Sequence, residues 1–157
     1  MAQTFKVLIE IPQDTVNKKY EYDHKTKKMV LDFVFENVVW PYNYGEILNA
    51  KGGDGDALDA IVLSQNPLEQ GSRVECQAIG ILEMLDRGEV DNKVICVPVN
   101  DPFSLKYKDL SDIPSAWQEE WQKFLFEIAR QKKKVIKIMG FYNKTRAELE
   151  IKKSLIK

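Results

Sequence analysis

Gly52-Gly53-Asp54-Gly55-Asp56-Ala57-Leu58-Asp59-Ala60-Ile61-Val62-Leu63 joins a glycine-rich turn, three carboxylates and an apolar run in one short stretch. The run Ala60-Ile61-Val62-Leu63 reads as a buried strand, and the turn ahead of it can aim all three acids at one point. Three carboxylates held that close repel one another unless a cation sits among them. Oxygen-only ligands with no His or Cys nearby favour a hard divalent ion, Mg2+ (or Mn2+ or Ca2+), over Zn2+. Mg2+ usually keeps several waters and leans on a substrate phosphate, so the stretch points toward phosphoryl chemistry. An EF-hand loop fails, because its Gly and Glu positions are occupied by Asp59 and Gln65. A plain Gly-Asp hairpin turn explains Asp54 and Gly55 but leaves Asp59, which heads into the apolar run, without a reason to be charged.

Outward from this stretch, extended segments are expected at 5–11, 19–23, 29–35, 57–63, 73–84, 93–99 and 134–142, divided by turn formers such as Asn66-Pro67, Gln70-Gly71-Ser72 and Asp86-Arg87-Gly88. Between 115 and 131, Trp117, Trp121, Phe124, Leu125 and Ile128 form one stripe of an amphipathic helix that Ser115 is placed to cap. A second helix is expected over 144–156, with Thr145-Arg146-Ala147-Glu148 fitting a capping box. Helical segments do not alternate with strands, which favours a small closed or partly closed antiparallel barrel over a parallel sheet with crossover helices.

The chain has 157 residues, suiting one domain over 1–157. Its 23 Lys and Arg balance 24 Asp and Glu, which removes the electrostatic case for nucleic acid or a membrane surface as the main partner. Cys76 and Cys96 each lie in an apolar segment and read as reduced core thiols of a cytoplasmic protein. No signal-like N-terminus and no apolar stretch of membrane-spanning length is present.

A second acidic loop, Asp86-Arg87-Gly88-Glu89-Val90-Asp91-Asn92-Lys93, sits between two strand candidates like a hairpin connection. Glu10-Ile11-Pro12 and Lys19-Tyr20-Glu21 add further charges, and the period of two places Lys19 and Glu21 on one strand face.

Together these residues resemble the soluble family I inorganic pyrophosphatases of the short prokaryotic type. Asp54-Gly55-Asp56-Ala57-Leu58-Asp59-Ala60 follows the family signature Asp-x-Asp-[Pro/Glu]-apolar-Asp-apolar except at Ala57. Glu-Ile-Pro at 10–12, Lys-Tyr-Glu at 19–21, Pro-x-Asn-Tyr-Gly at 41–45, and Asp86, Asp91 and Lys93 keep the family's order. The resemblance implies a mainly β fold with helices (α+β), an OB-like closed five-stranded barrel flanked by two main helices. It implies Mg2+-dependent hydrolysis of inorganic pyrophosphate, with Mn2+ also possible, and a homo-oligomer, by analogy a hexamer. Asp54, Asp59, Asp86 and Asp91 would be metal ligands, Glu10 and Glu21 outer or water-mediated metal contacts, and Asp56 the general base. Lys19, Tyr44 and Lys93 would contact phosphate.

Departures fall on the phosphate side. Phe33 stands where the family has an arginine, Trp40 where it has a tyrosine, and the helix reads Glu127-Ile128-Ala129-Arg130 where a Tyr-Lys pair is expected. Arg130 is the candidate to replace that lysine. The exchanges leave open a slow pyrophosphatase, an enzyme for an organic diphosphate whose apolar part rests on Phe33 and Trp40, or a relic that only binds metal. A nucleic-acid module stacking bases on Phe33, Trp40, Tyr42 and Tyr44 is opposed by the lack of a basic stripe.

Overall fold

The computed structural model describes residues 3–53 and 55–155. Strands β1 (Thr4–Ile11), β4 (Asn43–Lys51), β5 (Ala57–Val62), β8 (Lys93–Pro98) and β6 (Arg73–Asp86) follow one another around a barrel, and β1 pairing β6 closes it. Strands β2 (Val16–Asp23) and β3 (Lys28–Val39) form a separate two-stranded ribbon, while β7 (Glu89–Val90) and β9 (Ile136–Asn143) extend the sheet from β6. Helices α1 (Ser115–Gln131) and α2 (Lys144–Ser154) complete the fold. The closed five-stranded barrel with two helices is the architecture expected.

Several local expectations change. The barrel is not wholly antiparallel, since β5 pairs β8 in parallel and sets Asp59 beside Lys93. Strand β4 was not anticipated, because Gly45, Glu46 and Asn49 interrupt its apolar pattern; pairing with β1 on one side and β5 on the other holds it extended. Pro114 rather than Ser115 is the residue before the first turn of α1, and α2 is capped by Asn143, whose side chain accepts from the Arg146 amide, rather than by Thr145.

Strand alternation gives the barrel wall two buried faces. On one, Ile61, Leu82, Ile95 and Val97 pack with Trp40, Tyr42, Tyr44 and the Trp121 and Leu125 side of α1. On the other, Leu58, Ala60, Val62, Val94 and both cysteines pack with Ala147 and Ile151 of α2. Both cysteines are free and buried. The aromatics proposed as a stacking surface are instead core: Trp40, Tyr42 and Tyr44 are all buried.

Arg87 and Gly88 both take positive φ (51° and 84°), the requirement of a two-residue type I′ turn, and so join β6 to β7. That turn fixes Asp86 opposite Glu89.

Candidate active site

Register does most of the assembly. The β4–β5 and β5–β8 pairings set Glu46, Asp59 and Lys93 abreast across three strands. Between the barrel end, the β2–β3 ribbon and α1 lies a cavity of about 440 Å³. Of the residues expected at the site, Glu10, Lys19, Glu21, Tyr44, Asp56, Asp59, Asp86, Asp91 and Lys93 all line it. Asp54 lies outside the described residues.

At the centre, Lys93 Nζ donates to the Tyr44 hydroxyl at 2.6 Å, and that hydroxyl donates to Asp59 Oδ2 at 2.6 Å. Lys93 Nζ also stands 3.3 Å from Asp91 and 3.5 Å from Asp59. Burial alone would favour neutral Lys93, but the Asp91 and Asp59 carboxylates hold its pKa above the ordinary lysine value. Burial raises the Asp59 carboxyl, with the Asp91 charge adding to the effect. Glu10 accepts from the Tyr22 amide at 2.8 Å, yet burial, reinforced by Asp59 and Glu46, pushes its pKa up to about 8. Acids in this wall are thus held in a state that added positive charge would relieve.

Among the described residues, no three His, Cys, Asp or Glu side chains already stand together as a metal site. The chemistry of the wall nevertheless fits a hard divalent ion: Asp56, Asp59, Asp86 and Asp91 offer only carboxylate oxygens, and the Lys93 ammonium already sits as a cation between two of them.

Basic side chains line the same cavity, each paired with an acid. Lys19 Nζ bridges Glu21 (3.0 Å) and Asp32 (2.9 Å), Lys132 shares Asp32 at 3.4 Å, and Lys134 pairs with Asp86 at 2.8 Å. Burial opposes charge on Lys19, but its two carboxylate partners keep its pKa raised. Lys132 has its pKa lowered, first by burial and then by repulsion from Lys19 and Lys134.

Arg130 does not line this cavity. Its guanidinium pairs with Glu127 at 2.7 Å, is mostly exposed, and lines a separate groove with Phe33, Val34 and Gln131. Lys132 and Lys134 line the cavity where it does not. Helix α1 ends with Lys133 at φ 57°, and the Lys134 amide donates back to the Ala129 carbonyl. This left-handed turn reverses the chain so that Lys132 and Lys134, two residues apart, both line the cavity. The run Lys132-Lys133-Lys134 reads in sequence as a solvated helix end, and only its position just past an amphipathic helix hinted otherwise.

Two further corrections concern the aromatics. Phe33 faces the outer groove rather than the cavity, with Lys132 Nζ 5.6 Å from its ring centre. Trp40 does line the cavity, but its indole N–H is committed to the Lys18 carbonyl at 3.0 Å. The sequence also gave no sign of Glu46, which lines the cavity and lies 2.7 Å from His24 Nε2.

Comparison with known proteins places the chain in a family. Residues 7–157 match the family model described as inorganic pyrophosphatase. An inorganic pyrophosphatase of Thermoplasma volcanium is 39% identical, covering 99% of this chain and 94% of its own length. Among solved structures, the Helicobacter pylori inorganic pyrophosphatase superposes with a TM-score of 0.91 at 32% identity, covering 98% of this chain and 92% of that one. The Thermus thermophilus enzyme superposes at 0.88 with 33% identity, covering 95% and 87%. The chain belongs to the inorganic pyrophosphatase family, a family of hydrolases.

Proposed function

We propose that this chain hydrolyses inorganic pyrophosphate to two phosphates, with Mg2+ as its working ion and Mn2+ as a substitute. The observation that carries this reading is one cavity lined by the carboxylates Asp56, Asp59, Asp86 and Asp91 together with the lysines Lys19, Lys93, Lys132 and Lys134. A substrate that is both highly anionic and bound through cations matches both sets of side chains.

Asp54, Asp59, Asp86 and Asp91 would hold the ion, with Glu10 and Glu21 as outer contacts. When bound, a divalent ion lowers the pKa of water and offsets phosphate charge. Asp56, exposed at the cavity mouth, accepts the proton of the attacking water. The water oxygen bonds to phosphorus as the bridging P–O bond breaks, and the leaving phosphate takes that electron pair. Lys19, Lys132 and Lys134 hold the charge that gathers there, while Tyr44, held by Lys93, fixes Asp59, and the remaining Lys93 donors serve the nearer phosphate. A cytoplasmic setting and a homo-oligomer, by analogy a hexamer, belong to the same proposal; light scattering of the purified protein reads the assembly.

The test is phosphate release from pyrophosphate and Mg2+ by the wild type beside an Asp56→Asn control. No release above that control sinks the reading. A second reading, hydrolysis of an organic diphosphate, is favoured by the apolar side of the same cavity, where Leu125, Ile128, Ala129 and Ile136 lie. A panel of nucleotide and sugar diphosphates on which pyrophosphate is by far the best substrate removes it.

A further inference from the structure

Tyr42 carries the only buried side-chain nitrogen or oxygen among the described residues with no hydrogen-bond partner. Buried hydroxyls in folded proteins are nearly always paired, so an unpaired one calls for a physical reason. This residue is fully buried, and its ring is wedged edge-on against Trp121 (5.5 Å, 88°) and Phe124 (5.7 Å, 80°), with Tyr44 6.1 Å away. The clamp leaves the hydroxyl little freedom except rotation about its own C–O bond.

The same side chain lines the cavity that holds Tyr44, Asp59, Asp91 and Lys93. Burial, together with the Asp59 and Asp91 charges, keeps the phenol protonated, so it acts as a donor and not as a base. The Tyr44 hydroxyl is committed to Asp59, and the Trp40 N–H is committed to the Lys18 carbonyl. Tyr42 Oη is a buried O–H without a partner, on a side chain lining a cavity that Lys19, Lys93, Lys132 and Lys134 also line.

We propose that the Tyr42 hydroxyl is a substrate-binding donor, giving its hydrogen bond to a non-bridging oxygen of a phosphate held in the cavity. The proposal rests on the phosphate-binding reading given above and adds a residue to it. A purely structural Tyr42 would contribute its ring alone, and phenylalanine would serve as well or better.

The test compares wild type and Tyr42→Phe in Mg2+, reading pyrophosphate kinetics, calorimetric affinity for inorganic phosphate, and Tm of the phosphate-free protein. The expected result is a loss of about ten- to a hundredfold in kcat/KM and weaker phosphate binding, with Tm unchanged or higher because an unmet hydroxyl has been removed. Kinetics and phosphate affinity within about twofold of wild type overturn the proposal whatever Tm does. Lost affinity together with a large fall in Tm also overturns it, since the hydroxyl then supports packing. Should the variant not fold, the Tyr42 Cζ resonance of labelled wild-type protein must move on phosphate titration; a fixed resonance overturns the proposal. A wild type that binds phosphate but releases none from pyrophosphate sinks the hydrolase reading while leaving the Tyr42 comparison intact.

Discussion

Lys93 Nζ lies 2.6 Å from the Tyr44 hydroxyl oxygen, buried at the seam where β4 and β8 flank β5. This ammonium is the internal counter-charge of Asp59 and Asp91, and it is placed by strand register rather than by any local motif.

Lys93→Ala removes that counter-charge and leaves two partly buried carboxylates facing each other. In chelator at neutral pH the loss is about 3 kcal/mol, a fall in Tm of roughly 6–12 °C. Millimolar Mg2+ restores most of it, because an ion among the carboxylates replaces the ammonium. Thermal melts with and without Mg2+ check both parts; an equal deficit in the two conditions counts against a cation site at these acids.

Lys132 and Arg130 separate the geometry from the sequence expectation. Lys132→Ala lowers kcat/KM for pyrophosphate by about ten- to a hundredfold, the scale of one hydrogen bond to a charged group. Arg130→Ala, which removes only an exposed pair with Glu127, changes it by less than about twofold. Steady-state phosphate release on both variants decides, and the reverse order would return Arg130 to the site.

Glu10 makes the ion-free protein sensitive to pH. Burial raises its folded pKa from 4.5 to about 8, so the folded state binds more protons than the unfolded chain between those values. Stability is therefore fully present below about pH 4.5 and declines as pH rises toward 8, with an upper bound of about 4–5 kcal/mol. Denaturant melts in chelator from pH 5 to 8 should show this decline, and Glu10→Gln should flatten it. A wild-type profile as flat as that of the variant contradicts the burial argument.

Gly45 sits where β1 and β4 approach most closely, and a Cβ there would meet the Leu8 carbonyl oxygen of the neighbouring strand. The backbone cannot yield without opening the β1–β4 seam, which also carries Tyr44. Gly45→Ala is expected to lower Tm by more than about 10 °C or to leave the protein insoluble. A variant with a wild-type melt would show that the seam is looser than described.

These relationships mark where sequence was readable and where it was not. Asp59 of β5 and the acids of the 86–93 loop announce themselves because a charge leading into an apolar strand, or crowded beside others, has few structural explanations. The α1 stripe was legible because its apolar spacing has the helical period. Strand β4 was not, since its extended state comes from two neighbours rather than from its own residues. The parallel β5–β8 pair and the Asp59–Lys93 register are long-range facts with no local signature. Arg130 was the candidate for the missing lysine by its position in the helix pattern, but the left-handed turn at Lys133 brings Lys132 and Lys134 to the cavity instead.

Phosphate release from pyrophosphate by wild type, by wild type in chelator and by Asp56→Asn tests the central claim most directly. The account predicts steady release in Mg2+, its loss in chelator, and a fall of at least about a hundredfold in the folded variant. Wild-type release no faster than that of Asp56→Asn, or release indifferent to chelator, would contradict it.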